Sequence, residues 1–173
     1  EVNKIHYKLK NNEISFLHSG HLGDVINALP VLKELSRNHK CNLYLKINEP
    51  LESNAWSYKH EGDKIYMSEK MVKMVMPLLK KQTYINKIEI FKNQPIDVDL
   101  DLFRKIPMNF NLDEVRWYFH LTGVNPDLNK PYLLKVKKNK KFKNYIVIMR
   151  SLRRQNNNIK FKFLEKYKKL FFI

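Results

Sequence analysis

A short run near the amino terminus combines residue types that could do chemistry: Gly20, His21, Gly23 and Asp24. The chain has only four glycines among 173 residues, and two of them lie here, three positions apart. Such placement indicates positive φ or a close backbone approach. A helix start presents unpaired N–H groups that can receive a phosphate, a carboxylate or a substrate hydroxyl. We therefore predict a tight turn, either purely structural or ligand-binding, in which Asp24 is a helix cap or a general base.

The elements around this turn are predicted from the spacing of apolar residues. Residues 14–18 read as a short strand, and from Val25 onward the apolar period changes from two to about 3.6. Residues 43–47 alternate again as a strand, whereas Pro30 interrupts the helical pattern and predicts a kink. Strand, glycine loop, helix and strand predict an α/β domain with a Rossmann-like parallel sheet. Ligands bind such folds at the carboxyl edge of the sheet.

Further elements follow from local signals. We predict an edge strand over residues 5–9, a helix capped by Ser68, strands over 87–91 and 98–102, and a helix that Asp113 caps and Gly123 ends.

The lysine-rich stretch over residues 135–144 predicts a domain boundary, with six lysines in ten residues. Residues 1–134 then form the first domain and 135–144 the linker. Residues 145–173 begin a second Rossmann-like domain, with a strand buried on both faces over 145–149 and a helix from about 161 to 170. One strand and one helix do not make a domain, so we expect a fragment of a protein about twice as long.

Composition narrows the partners and the compartment. The chain carries 33 basic and 17 acidic residues, a net charge of +16, which favours phosphate-bearing partners: nucleotides, an anionic membrane face or nucleic acid. Lysine far outnumbers arginine, which argues against nucleic acid because bidentate phosphate recognition favours arginine. Cys41 is the only cysteine, so no disulfide forms within the chain, and we expect a cytoplasmic protein.

The stretch from Phe16 to Leu35 resembles the opening of heptosyltransferase-like GT-B glycosyltransferases, family 9 and its relatives. In that family the first strand leads to a Gly-Asp pair and a helix with a proline near its second turn, matched here by Gly23, Asp24 and Pro30. The resemblance implies inverting, metal-independent transfer of a hexose or heptose from a nucleotide sugar to a glycan or lipid-linked acceptor, without a further cofactor. It implies that Asp24 is the catalytic base. We also predict substrate-binding roles for Gly20, His21, Gly23 and Asn27 around this base.

A second, looser likeness covers Ile146 to Leu164, which resembles the first βα unit of the family's donor-binding domain. The resemblance implies phosphate-binding roles for Arg150, Ser151, Arg153, Arg154 and Lys160, and a solvated loop is the alternative for the three arginines. The family's lysine before a Trp-Pro pair is replaced by Lys160-Phe161-Lys162-Phe163, so either lysine fits that role. With the acceptor half first, this chain alone is expected to be inactive.

Rival constellations lead to other functions. Asp97, Asp99 and Asp101 would share one strand face, which suits either a metal-dependent GT-A transferase using the first two or, as we favour, an exposed face near Arg104 and Lys105. A basic module that binds nucleic acid or another polyanion, and a noncatalytic relative, stay open as alternatives. Metal binding by His18 and His21 lacks a further ligand at suitable spacing.

Aromatic residues give one more hypothesis. Trp56, Tyr58 and Trp117 could stack on a sugar, although core packing is the more common role of such side chains.

Overall fold

The computed structural model describes residues 5, 8–51, 64–109, 111–136, 140–148 and 159–172. The chain divides into two compact units, residues 1–56 with 60–136 and residues 57–59 with 137–173. No helix among the described residues is long and apolar enough to cross a membrane.

The first unit is an α/β domain with a Rossmann-like parallel sheet, as predicted. Its strands are β1 (Glu13–His18), β2 (Lys40–Leu45), β3 (Lys87–Ile90) and β4 (Val98–Asp99). All the strand pairs are parallel, and the order is β3-β2-β1-β4. Its helices are α1 (Leu22–Leu35), α2 (Glu69–Leu79) and α3 (Glu114–Thr122). Because β1 lies inside the sheet, the turn that follows it lies between neighbouring strands rather than at the side of the sheet.

The change of apolar period explains both β1 and α1. Alternate residues of β1 are buried, with Ile14 and Phe16 fully inaccessible, as expected of a strand with one face on the core. Helix α1 buries the apolar stripe that begins at Val25. Pro30 lies inside this helix and is itself buried, yet the helix continues to Leu35. Burial of the helix against the sheet thus outweighs the hydrogen bond that the proline removes.

The capping signals of α2 and α3 have mixed outcomes. Ser68 caps α2 by accepting the Met71 N–H at 3.3 Å, as predicted. Gly123 ends α3 in the left-handed conformation, with φ 70°. Asp113 stands at the N-cap position of α3, but its side chain makes no capping hydrogen bond.

Two strand predictions were wrong. At the amino terminus, Ile5 and Lys8 are helical, and the Leu9 N–H donates to the Ile5 carbonyl at 3.0 Å. Strand β4 stops at Asp99, whose Oδ1 accepts the Asp101 N–H at 2.9 Å. This bond turns the chain into a 3₁₀ helix over Leu100–Arg104, because the side chain competes with the strand ladder for the backbone.

The second unit contains β5 (Ile146–Ile148) and β6 (Leu170–Phe172), which pair in parallel. The expected burial of its first strand was wrong, since Ile146 is 37% exposed and Val147 is 47% exposed. The expected helix up to residue 170 is a 3₁₀ helix over Phe161–Leu164 instead. A further 3₁₀ helix spans Lys140–Phe142. The described part of this unit has two strands and two short 3₁₀ helices, which are too few to bury both faces of a parallel sheet.

Candidate functional site

A cluster of charged and polar side chains lies where β1 ends. Strand β1, the start of α1, the 3₁₀ helix and α3 each contribute to it. We call it the carboxyl-edge cluster, and its members are His18, Asp24, Asp101, Arg104, Glu114 and Tyr118. Open α/β folds place their ligands at this edge, because the turns that leave the strands expose helix starts there.

Asp24 is the third residue of α1 and has two hydrogen bonds on one oxygen. Its Oδ2 accepts the His21 N–H at 3.0 Å and the Arg104 Nη2–H at 2.7 Å. Asp24 therefore does cap the helix, although from inside the first turn rather than from the N-cap position, which His21 holds. The side chain is 17% exposed, so the carboxylate keeps one path to solvent.

The carboxyl groups of Asp24 and Glu114 lie close enough to change each other's pKa. Burial alone would raise the pKa of Asp24, but the hydrogen bond from Glu114 and the charge of Arg104 outweigh it and lower that pKa. For Glu114, burial, the hydrogen bond with Asp24 and the charge of Asp24 raise the pKa to about 7. Near neutral pH the two groups therefore share one proton between them.

The His18 side chain is completely buried and fixes the turn by a hydrogen bond to the backbone of Gly20. Its Nδ1 accepts the Gly20 N–H at 2.9 Å, which assigns the ring proton to Nε2. Nε2 then donates to the Tyr118 hydroxyl at 3.0 Å. In this tautomer the 3.4 Å approach of Nδ1 to Asp101 Oδ1 is not an ion pair. Both ring nitrogens of His18 therefore take part in hydrogen bonds that stabilise the turn, which leaves neither of them for a metal ion.

Asp101 and Arg104 complete the cluster from the 3₁₀ helix. Asp101 Oδ2 accepts both the N–H of Ser19 and, at 2.8 Å, its hydroxyl. Arg104 Nη1 lies 3.4 Å from Asp101 Oδ1 without hydrogen-bond geometry. The guanidinium also lies over the rings of Tyr66 at 4.9 Å and Phe103 at 4.3 Å. Arg104 is therefore fixed by stacking as well as by charge.

The two glycines of the turn differ in the space around their Cα atoms. A Cβ on Gly20 would lie 2.5 Å from Asp24 Oδ2 and 2.7 Å from His18 Cε1, so the predicted close approach is confirmed. Gly23 has neither a positive φ nor any atom within 4 Å of a built Cβ, so the same prediction was wrong there. Its exposed position leaves open surface beside the first turn of α1.

The structure brings the predicted substrate-binding residues to this edge. The ring of His21 meets that of Tyr66 edge-on, with centroids 5.3 Å apart. The Asn27 side chain faces Glu114 and lowers the pKa of that carboxyl. Trp117 lies in the core, the more common role expected of it: it is 7% exposed, and its Nε1 donates to the Asn109 carbonyl at 3.3 Å.

The predicted donor-side residues are mostly outside the described residues. This applies to Arg150, Ser151, Arg153 and Arg154, and also to the aromatic candidates Trp56 and Tyr58. Lys160 is described: it is exposed and directly precedes the 3₁₀ helix over Phe161–Leu164. Lys162, the alternative, is exposed as well.

The acidic residues of the rival metal-dependent hypothesis bind backbone groups instead. Asp97 Oδ2 accepts the Ser15 N–H at 2.9 Å, and Asp99 and Asp101 accept amides as described above. The expected exposed face of three aspartates does not form, because Asp101 lies in the 3₁₀ helix and is only 8% exposed. In the described ranges, no group of three or more His, Cys, Asp and Glu side chains is placed to hold a metal ion.

Sequence reasoning missed Glu114 and did not connect Arg104 with Asp24. Neither residue belongs to a motif, and both reach Asp24 only through the packing of α1 against α3 and the 3₁₀ helix. The one available signal was Glu114 at a predicted helix start, which fits an ordinary dipole-stabilising carboxylate equally well.

Comparison with known proteins gave no relative: no family model, curated protein or solved structure matches this chain.

Proposed function

We propose that the first unit is the acceptor-binding half of an inverting glycosyltransferase in which Asp24 is the catalytic base. The observation that carries this proposal is the position of its carboxylate, which is 17% exposed at the carboxyl edge of a parallel sheet and has a lowered pKa. The likeness of residues 16–35 to the heptosyltransferase type supports the same role.

In the proposed reaction, the oxygen of an acceptor hydroxyl attacks the anomeric carbon of a nucleotide sugar. The bond from that carbon to the diphosphate oxygen breaks, and the diphosphate leaves with the electron pair. The hydroxyl proton passes to Asp24. The lowered pKa keeps Asp24 ionised and ready to accept it, and the hydrogen bonds from His21 and Arg104 to Oδ2 fix its orientation.

The remaining roles are proposed from the same likeness. His21, Gly20, Gly23 and Asn27 lie around Asp24, where an acceptor hydroxyl must approach. The basic residues between Arg150 and Lys160 are proposed to bind the donor phosphates and neutralise the departing diphosphate. The acceptor is a glycan or a lipid-linked sugar, and we propose a cytoplasmic enzyme.

Asp24→Asn tests this proposal in the full-length protein. Asparagine accepts the hydrogen bonds of the cap but cannot take up the proton. We expect release of nucleoside diphosphate from UDP-, GDP- and ADP-hexoses, with a panel of sugar acceptors, to fall by ~10²–10⁴. The thermal unfolding midpoint should change little.

Asp113→Asn is the matched control. It removes a carboxylate from another helix N-terminus, where the side chain makes no capping hydrogen bond. We expect activity at the wild-type level. Release by Asp24→Asn within twofold of the wild type would remove Asp24 as the base and the proposed function with it.

A further inference from the structure

Glu114 is placed in an unusual way for the first residue of a helix. Such a carboxylate normally points to solvent, where it interacts with the helix dipole. Glu69, the first residue of α2, does so: its side chain is 60% exposed and paired with Lys73 at 2.7 Å. The Glu114 side chain instead faces Asp24 and Asn27, which both affect its pKa, and its Oε1 is buried without a hydrogen-bond partner in the described structure.

The charges around this pair come from every element packed against it. Asp24 lies on α1, His18 on β1, Tyr118 on α3, and Asp101 and Arg104 on the 3₁₀ helix. His18 Nδ1 accepts the Gly20 N–H, and Tyr118 keeps its proton because burial raises its pKa. Arg104 thus faces Asp24, Asp101 and Glu114 with one positive charge. Three ionised carboxylates around one guanidinium repel each other, which favours a proton on one of them.

We propose that Glu114 is a positioning residue for Asp24, and that the two carboxyl groups take up the acceptor's proton as one unit. This inference rests on the proposed function, since it assigns Glu114 a role in the reaction of Asp24. Asp24 is the member proposed to meet the hydroxyl, since its carboxylate is 17% exposed at the start of α1, whereas Glu114 Oε1 is buried.

The protonation state of Glu114 sets the basicity of Asp24. While Glu114 holds its proton, its O–H donates to Asp24 and stabilises the negative charge there, so Asp24 is a weak base. Once Glu114 is ionised, the second negative charge makes Asp24 a stronger base. The pair then accepts the hydroxyl proton, passes from two negative charges to one, and returns the proton to solvent after the product leaves. The value near 7 belongs to the pair rather than to one residue.

The rate of nucleoside diphosphate release against pH tests the inference. For the wild type we expect the rate to rise with pH through about 7, as the pair loses its last proton. Glu114→Gln donates to Asp24 permanently and cannot ionise. We expect it to lose this rise and to be at least ~10-fold slower than the wild type at pH 8. Glu69→Gln, the same change at the same helix position, should keep the wild-type profile.

A second measurement needs no substrate. In ¹³C NMR spectra of glutamate side chains, assigned by through-bond correlation to the backbone of the wild type, we expect Glu114 to titrate near pH 7. Asp24→Asn removes the facing charge, so the midpoint should move to lower pH. This titration decides the matter if Glu114→Gln fails to fold.

The outcomes separate the two proposals. A rise through pH 7 that survives in Glu114→Gln, or a Glu114 midpoint in the ordinary range near ~4.3, overturns the pair while Asp24 stands as the base. An Asp24→Asn protein with wild-type activity overturns both.

Discussion

The two edges of the four-stranded sheet differ in what they hold. At the amino-terminal edge lies a cleft of about 380 Å³, lined by Ser36, His39, Lys40, Cys41, Thr83, Tyr84 and Asn86. Its polar groups have partners: Tyr84 donates to the Tyr132 carbonyl at 2.7 Å, and Asn86 donates to Asn42 at 2.8 Å. Burial raises the pKa of the Cys41 thiol to about 12, so it is not a nucleophile at neutral pH.

The carboxyl edge holds the interacting charged groups of the carboxyl-edge cluster. Its charged groups are packed close enough to change each other's ionisation, as Glu114 and Asp24 do. A cavity gives room for a ligand, whereas a reaction needs groups held in a defined ionisation state. Under the proposed function, this cleft and the site lie at opposite edges of the sheet, and the difference can be tested at matched positions on the two edges.

The largest change in stability is expected from Arg104→Met. Helix α1 carries an arginine–carboxylate pair near each end, Asp24 with Arg104 at the carboxyl edge and Glu34 with Arg37 at the other. Removing Arg104 leaves Asp24 and Asp101 largely buried without their cation. We expect a loss of about 3 kcal/mol in the free energy of unfolding, measured by urea denaturation at pH 7.

Arg37→Met is the control for that loss. The Arg37 side chain is 62% exposed, and its partner Glu34 is 30% exposed, so solvent screens the pair. We expect no measurable change in stability. Equal losses in the two variants would mean that the carboxyl-edge charges are no more tightly coupled than surface charges.

The next largest change in stability is expected at Gly20, where the turn is closely packed. Gly20→Ala places a methyl group 2.5 Å from Asp24 Oδ2 and 2.8 Å from Arg104 Nη2, so the ion pair must shift. We expect destabilisation of about 1–3 kcal/mol in urea denaturation, as in other overpacked sites. An unchanged free energy of unfolding would show that the cluster adjusts freely and is not held in one arrangement.

Local patterns in the sequence predicted much of the fold. The change of period at Val25, the cap at Ser68 and the stop at Gly123 each depend on neighbours within a few positions. The strand over residues 5–9 failed because Ile5 and Leu9 are four apart, a spacing that fits one helix face as well as one strand face. The strand after Val98 failed because Asp99 bonds to its own backbone two residues on.

The candidate site was predicted only where it is local. Gly20, His21 and Asp24 belong to one turn, so their proximity followed from the sequence. Arg104 and Glu114 reach Asp24 from distant parts of the chain, and a single sequence carries no signal for such contacts. The ionisation of the pair depends on burial as well, which only the packed structure supplies.

The smallest expected change in stability is a gain, and it is expected at Gly23, where the turn faces open space. Gly23 is the exposed second residue of α1, and a Cβ there meets nothing within 4 Å. Because alanine loses less backbone entropy than glycine when a helix forms, Gly23→Ala should stabilise the protein by about 0.5–1 kcal/mol.

If the acceptor approaches Asp24 across this surface, the same methyl group should raise the KM for acceptor. Lys70→Ala, at the second position of α2, controls for the helix preference alone and should leave the KM unchanged. A variant that is more stable and keeps the wild-type KM would place the acceptor elsewhere, since a ligand that used this surface would meet the new methyl group.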